Sequence, residues 1–131
     1  MRTACKSIVL ITAAGRGHGK TLLGTSLTRH LTEQGYHVAA IKHIHQPHVD
    51  YRVKDTGRYL EAGASPVIAV SPEEYMVVVR RAIGLEYALD LALSHGVQVI
   101  VVEGFRELAD YVRALGGCIV YIEADRGISR S

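Results

Sequence analysis

The sequence has no tryptophan and no asparagine, one phenylalanine and two cysteines among its 131 residues. Cys5 and Cys118 lie far apart at the edges of apolar runs and form no CxxC pair, so we expect buried free thiols rather than a disulfide or a metal site. No apolar run approaches the roughly 20 residues that span a bilayer, and no signal-peptide hydrophobic region is visible. We therefore expect a cytoplasmic protein without a membrane partner. The lack of asparagine, with eleven arginines against four lysines, is typical of hot habitats.

Charge is unevenly distributed along the chain, although the net charge is only +2. Residues 1–65 contain nine Lys or Arg against four Asp or Glu, whereas residues 66–131 contain six against nine. A basic first half favours an anionic small ligand there. No basic helix and no RNA-reading aromatic motif is present, so we expect no nucleic-acid partner. The length and the 48% hydrophobic content predict one globular domain, residues 1–131.

Strand and helix patterns alternate along the chain. Helical patterns run from residue 20 to Gly35, over 51–62, from Leu85 to Gly96 and over 106–115. This alternation predicts an α/β fold of three layers, with a mostly parallel central sheet covered on both faces. The turn at 71–74 is expected to join two of the strands into an antiparallel hairpin. The six predicted strands are 7–12, 37–42, 66–70, 75–80, 97–102 and 118–122.

A glycine-rich segment, Gly-Arg-Gly-His-Gly-Lys-Thr at 15–21, lies between the first predicted strand and a leucine-spaced helix. A strand, such a loop, Gly-Lys-Thr and a helix together describe a phosphate-binding P-loop. The glycines let successive backbone N–H groups turn towards phosphate oxygens, and the helix N-terminus adds its partial positive charge. The predicted nucleotide-binding residues are Gly15, Arg16, Gly17, His18, Gly19, Lys20 and Thr21.

Two residues of this loop have specific roles in the P-loop mechanism. Lys20 is expected to reach the β- and γ-phosphates, and the Thr21 hydroxyl is expected to ligate Mg²⁺. Ala14 stands where the pattern has its first glycine. Because alanine is the smallest side chain that could replace it, we expect a tightened loop rather than a lost one.

The strand predicted at 97–102 is followed by Glu103, Gly104 and Phe105. In P-loop proteins such a strand lies beside the P-loop strand and delivers an acid towards Mg²⁺ or its water shell. We therefore predict Glu103 near the metal. Arg106, directly after this turn, either faces the ligand pocket or is solvated.

Three of the seven histidines, His43, His45 and His48, lie within six residues at the end of the second predicted strand. Ligands bind at this edge of the sheet in open α/β folds. The spacing would allow a zinc site. Phosphates would equally attract partly protonated histidines, and a solvated loop is the third alternative. The sequence leaves all three open.

The motifs together resemble one family. Ile-Lys-His-Ile-His at 41–45, an Asp at 50, Lys-Asp-Thr-Gly-Arg-Tyr-Leu-Glu-Ala-Gly-Ala at 54–64 and Val-Val-Glu-Gly-Phe at 101–105 resemble the molybdopterin-guanine dinucleotide biosynthesis protein B (MobB) family in order and spacing. The resemblance implies a P-loop protein similar to SIMIBI-type GTPases that binds GTP and Mg²⁺, hydrolyses GTP slowly if at all, and forms homodimers. It also implies molybdopterin and the molybdopterin guanylyltransferase as partners in molybdenum cofactor biosynthesis.

The resemblance also implies roles for individual residues. Thr21, Asp50 and Glu103 would lie near Mg²⁺, and Val53 departs from the glycine that the family has before Lys-Asp. The β-prone run at 75–79 would provide a dimer seam if it lies at a sheet edge, or would be covered by a helix within the monomer. The residues that would line the adjoining pocket are Lys42, His43, His45, Lys54, Asp55 and Arg58.

Two other functions remain open. A small ATP-dependent kinase or ligase would share the P-loop and use the His/Asp pocket for its substrate, although no arginine-rich lid is visible. A metal-delivery GTPase would use the histidine cluster. The Asn/Thr-Lys-x-Asp element that reads guanine in many GTPases is missing, so the preference for guanine rests on the resemblance alone.

Overall fold

The computed structural model describes residues 7–15, 19–49 and 54–123. They divide into two compact units, one formed by Met1–His43 with Gly84–Ser131 and the other by Ile44–Ile83. The first unit contains β1 (Ile8–Ala13), α1 (Lys20–Glu33), β2 (Val38–Lys42), α3 (Leu85–Leu93), β5 (Val99–Glu103), α4 (Ala109–Ala114) and β6 (Cys118–Ile122). The second contains α2 (Lys54–Glu61), β3 (Val67–Val70) and β4 (Tyr75–Val78).

A parallel sheet of four strands, in the order β2-β5-β1-β6, forms the centre of the first unit. β5 lies between β2 and β1, and its residues Ile100, Val101 and Val102 are at most 3% exposed. A strand buried on both faces accommodates an unbroken apolar run, which explains why this segment does not alternate with polar residues. The prediction that the acid-bearing strand lies beside the P-loop strand is confirmed.

Helices cover both faces of this sheet. On one face, α1 approaches so closely that a β-carbon on Gly24 would lie 3.7 Å from Ile11 Cδ1 and 3.8 Å from Val101 Cγ1. Side chains alternate between faces along a strand, so the residues next to Ile11 and Val101 point to the opposite face. There they pack with α3 and α4 in a cluster of Leu10, Leu85, Leu89, Ile100, Val102 and Val112. This arrangement confirms the three-layer α/β prediction.

The second unit combines α2 with an antiparallel hairpin. β3 and β4 pair through Ile68↔Val77 and Val70↔Tyr75, and they form a two-stranded sheet of their own. The predicted hairpin is therefore confirmed, although it does not join the parallel sheet. Leu60 and Thr56 of α2 are 4% and 3% exposed.

Two details differ from the sequence expectations. The last predicted helix begins as a short 3₁₀ turn at Arg106–Leu108 before α4. Cys118 is disulfide-bonded, so the prediction of a free thiol at that position is wrong. Sequence spacing misled here because β6 pairs in parallel with β1 and places Cys118 opposite Val9. Cys5 lies outside the described residues.

The single-domain prediction for residues 1–131 stays a prediction. Among the helices in the described ranges, none has both the length and the apolar character that crossing a membrane requires.

Two glycine-to-alanine substitutions are expected to change stability in opposite directions. In Gly117→Ala the new methyl would lie 2.7 Å from Val112 Cγ1 and 2.9 Å from the Ile8 carbonyl oxygen, so we expect a loss of about 2 kcal/mol from overpacking. In Gly24→Ala the methyl meets only ordinary van der Waals contacts inside α1, so we expect a gain of about 0.5–1 kcal/mol from the lower entropy cost. Urea unfolding of both variants measures the difference, and equal signs would contradict this account of α1 and α4 packing.

Candidate functional site

The glycine-rich loop leads from β1 into α1 at the carboxyl edge of the parallel sheet. Gly19 precedes the helix in a left-handed conformation, with φ of 83°, and Lys20 is the first helical residue. The Lys20 ammonium donates a hydrogen bond of 2.9 Å to the carbonyl oxygen of Gly15. This bond joins the beginning and the end of the loop. The predicted residues Arg16, Gly17 and His18 lie outside the described residues.

Ala14, the departure from the P-loop pattern, is accommodated without backbone strain. Among the non-glycine residues of the described ranges, only Phe105 has a positive φ, so Ala14 does not occupy a conformation that requires glycine. Its carbonyl oxygen accepts a hydrogen bond of 3.0 Å from the Arg106 guanidinium. The start of the loop is therefore held by a residue from the turn after β5.

Thr21 and Glu103 meet where α1 begins and β5 ends. The Thr21 hydroxyl donates a hydrogen bond of 2.7 Å to Glu103 Oε2. Lys42, at the end of β2, lies beside the same carboxylate because the parallel register aligns it with Glu103. Its ammonium is 3.7 Å from Glu103 Oε2 and 3.5 Å from Thr21 Oγ1. Three predicted site residues from three elements thus form one contact group.

The chemistry of this group fits a magnesium ion. Mg²⁺ prefers hard oxygen ligands and keeps several water molecules, and it is commonly held by one or two protein oxygens together with substrate phosphates. The Thr21 hydroxyl has used its single hydrogen on Glu103, so its lone pairs can face a cation. Thr21 would ligate the ion directly, and Glu103 would do so directly or through water. Asp50, the third residue assigned to the metal, lies outside the described residues.

The turn after β5 has unusual backbone geometry. Gly104 has φ of 100°, and a β-carbon there would lie 2.7 Å from His43 Cβ, so only glycine fits. Phe105 follows with φ of 53° and stacks on the His43 ring, with centroids 4.2 Å apart and an interplanar angle of 10°. A left-handed non-glycine residue costs about 1 kcal/mol or more, and this stacking offsets part of that cost. His43 therefore supports the turn that carries Glu103.

The histidine cluster does not assemble a metal site by itself. His45 and His48 are exposed, whereas His43 is half-buried against Phe105. Within residues 7–15, 19–49 and 54–123, no three His, Cys, Asp or Glu side chains come together as metal ligands. Nothing in the described part of the chain therefore supports the zinc alternative.

The remaining predicted pocket residues belong to the second unit. Asp55 and Arg58 form an ion pair on α2, with Nη1 and Oδ1 3.9 Å apart and both side chains about three-quarters or more exposed. Lys54 begins that helix, and its side chain lies outside the description. Their assignment to the pocket stays a prediction.

Sequence reasoning left the role of Arg106 undecided and did not anticipate its contact with the loop. The only signal for it was its position three residues after Glu103. Its bond to Ala14 spans 92 positions in sequence, and it forms because β5 pairs with β1.

Comparison with known proteins agrees with the motifs. Residues 8–111 match the model of a family described as Molybdopterin guanine dinucleotide synthesis protein B, MobB. The match covers most of the chain and includes both the loop and Glu103. The chain belongs to the MobB family. It is 32% identical over 94 residues to a curated molybdopterin-guanine dinucleotide biosynthesis adapter protein from Haemophilus influenzae, covering 70% of this chain and 53% of that protein. It therefore spans about half the length of this curated relative.

Solved MobB structures share the fold. Bacillus subtilis MobB superposes with a TM-score of 0.74 at 20% identity, over 95% of this chain and 72% of that chain. A MobB homolog from Bacillus stearothermophilus gives a TM-score of 0.65 at 16% identity, over 90% and 64% of the two chains. At these identities the likeness concerns the fold alone.

Arg106→Ala is expected to destabilise the protein by about 1 kcal/mol, because it leaves the Ala14 carbonyl without its charged donor. Arg113→Ala is the matched control: both bonds are exposed, but Arg113 pairs with Asp110 three residues away in the same helix, and such local pairs contribute about 0.3–0.5 kcal/mol. Urea unfolding measures both free energies. Equal losses in the two variants would contradict a structural role for the Arg106–Ala14 bond.

Proposed function

We propose that this MobB-family chain is a GTP-binding accessory protein in molybdopterin guanine dinucleotide biosynthesis, with Mg²⁺ as its metal and at most slow GTP hydrolysis. The observation that carries the proposal is the hydrogen bond between Thr21 and Glu103. It joins the last residue of the predicted P-loop to the acid at the end of the neighbouring strand. This is the pair that P-loop proteins use at a metal–nucleotide site.

The electrostatics of this edge favour phosphate. The Lys20 ammonium contacts Gly15 at the start of the loop, the Lys42 ammonium contacts Thr21 at its end, and the N-terminus of α1 adds a partial positive charge. Glu103 is the one acid that these contacts include, and it accepts a hydrogen bond from Thr21. A nucleotide whose phosphates bind Lys20 would balance the positive charge of that ammonium. Its metal ion, bound to Thr21, would balance the negative charge of Glu103.

We propose slow hydrolysis because the described residues of the first unit, which contains Thr21, place no glutamine beside it. Gln34 lies at the C-terminal end of α1, and Gln98 accepts a hydrogen bond from the His37 amide before β5, at the opposite edge of the sheet. The third glutamine, Gln46, belongs to the second unit. Fast GTPases need a group that orients the attacking water and a positive charge on the leaving phosphates.

The choice of guanine, the partners and the location of the protein rest on the family. We propose that the chain acts with molybdopterin and the molybdopterin guanylyltransferase, and that it does so in the cytoplasm. A disulfide at Cys118 is compatible with that location in organisms of hot habitats, where intracellular disulfides are common.

Neither alternative function gains support from the structure. A metal-delivery role would need a set of ligands that the described histidines do not form. A small-molecule kinase or ligase would need basic residues that clamp the transferred phosphate. Arg106 is hydrogen-bonded to the start of the loop, but its partner there is the backbone carbonyl of Ala14.

Calorimetry with GTP, GDP and ATP in the presence of Mg²⁺ tests the nucleotide assignment. We expect GTP to bind more tightly than ATP, and we expect Lys20→Ala to weaken GTP binding at least 100-fold, because it removes the charge that contacts the phosphates. Arg113→Ala, on the exposed side of α4, is the matched control and should bind like the wild type. No GTP binding by the wild type, or a preference for ATP, would refute the proposal.

The hairpin presents an exposed apolar face. Ile68, Val70, Tyr75 and Val77 point to one face of the two-stranded sheet and are 58%, 80%, 66% and 47% exposed. Two-stranded sheets are marginal by themselves, and an uncharged apolar face of this kind is suited to an identical face. We propose that this face forms the homodimer interface.

Val70→Glu is expected to weaken dimerisation by at least tenfold, because the interface would bury an unpaired carboxylate. Glu73→Gln changes a charge in the turn of the same hairpin without altering the apolar face, and it should dimerise like the wild type. Sedimentation velocity over a range of concentrations measures the monomer–dimer equilibrium. An unchanged dimerisation constant in Val70→Glu would place the interface elsewhere.

A further inference from the structure

The ammonium of Lys42 lies next to the two oxygens that would hold the metal. Its distance to Glu103 Oε2 is 3.7 Å, and its distance to Thr21 Oγ1 is 3.5 Å. Since the Thr21 hydroxyl donates its hydrogen to Glu103, the Lys42 N–H group faces the lone pairs of that hydroxyl. These are the lone pairs that a magnesium ion would use. A magnesium ion on the same oxygen would lie close to the Lys42 ammonium, so the two positive charges would repel each other.

The fold holds Lys42 in this place without burying it. The parallel register aligns Lys42 with Glu103 on neighbouring strands, so the two side chains lie on the same face of the sheet. The Lys42 side chain is 56% exposed, whereas that of Glu103 is 16% exposed. A long, half-exposed side chain can leave the carboxylate at little cost, because exposed ion pairs are weak and water replaces the lost contacts.

We propose that Lys42 is a tethered cation that sets the magnesium requirement of nucleotide binding. Without metal, its ammonium holds the Thr21–Glu103 pair and places a positive charge near the phosphates. When Mg²⁺ binds, Lys42 moves from the Thr21 oxygen. The same charge therefore supports metal-free nucleotide binding and opposes metal binding. This inference rests on the proposed nucleotide site and assigns a regulating residue within it.

The test compares nucleotide affinity with and without metal. For each variant, the dissociation constant for GTP is measured by calorimetry in excess Mg²⁺ and again in EDTA, and the ratio of the EDTA value to the Mg²⁺ value is taken. In Lys42→Met the ratio should rise at least tenfold over that of the wild type, because metal-free binding weakens while metal binding strengthens. Lys42→Arg keeps the charge, and its ratio should stay within about threefold of the wild type.

Arg113→Met provides the matched control for a general loss of positive charge. Arg113 lies on α4, on the opposite face of the sheet from α1, and its loss should leave the ratio unchanged. A direct titration of Mg²⁺ at a fixed, saturating GTP concentration gives a second readout, in which Lys42→Met should need about five- to tenfold less metal.

The outcomes separate this inference from the proposed function. An unchanged ratio in Lys42→Met, or an equal rise in Arg113→Met, overturns the role of Lys42 while GTP binding stands. A fall in the ratio would show that Lys42 assists metal binding, and it also overturns the inference. If the wild type binds no nucleotide even with Mg²⁺, both the site and the inference are refuted. Because Lys42 is exposed, all variants are expected to unfold at the wild-type temperature, which thermal melts verify.

Discussion

The parallel pairing of β5 with β1 is the constraint on which the candidate site depends. It places Glu103 opposite Ile11, two residues before the end of the strand that enters the glycine-rich loop. The Gly104 amide then donates to the Ile11 carbonyl and continues the ladder past the acid. With the strand ends aligned in this way, a hydroxyl at the start of α1 can reach the carboxylate. A slip of one residue would turn Glu103 to the other face of the sheet, where the apolar core lies.

Much of this arrangement could be predicted because its signals are local. The loop from Gly15 to Thr21 is contiguous, and an apolar strand that ends in Glu is visible without knowledge of the fold. The strand and helix order followed from periodicity, since a doubly buried strand such as β5 requires an unbroken apolar run. Family motifs then connected these pieces, and the comparisons confirmed that connection.

The contacts that sequence could not predict depend on which strands are neighbours. Lys42 meets Glu103 only because β2 pairs with β5, although 60 residues separate these two side chains in sequence. Cys118 was predicted to be free because its distance from Cys5 in sequence is large, yet β6 begins beside the start of β1. His43 stacks on Phe105 because Phe105 adopts a left-handed backbone conformation, which hydrophobic periodicity does not predict. In each case the contact depends on which elements are neighbours in the folded sheet. The order of residues along a single sequence does not specify those neighbours.

The four residues from Glu103 to Arg106 contact both ends of the loop. Glu103 accepts a hydrogen bond from Thr21 at the end of the loop, and Arg106 donates one to Ala14 at its start. Ordering a backbone residue costs about 1–2 kcal/mol in conformational entropy, and a binding site that orders only on contact subtracts that cost from its affinity. Here the two ends lose their freedom when the sheet forms. The entropy cost of ordering these two ends is therefore part of folding, and it does not lower the affinity for a ligand.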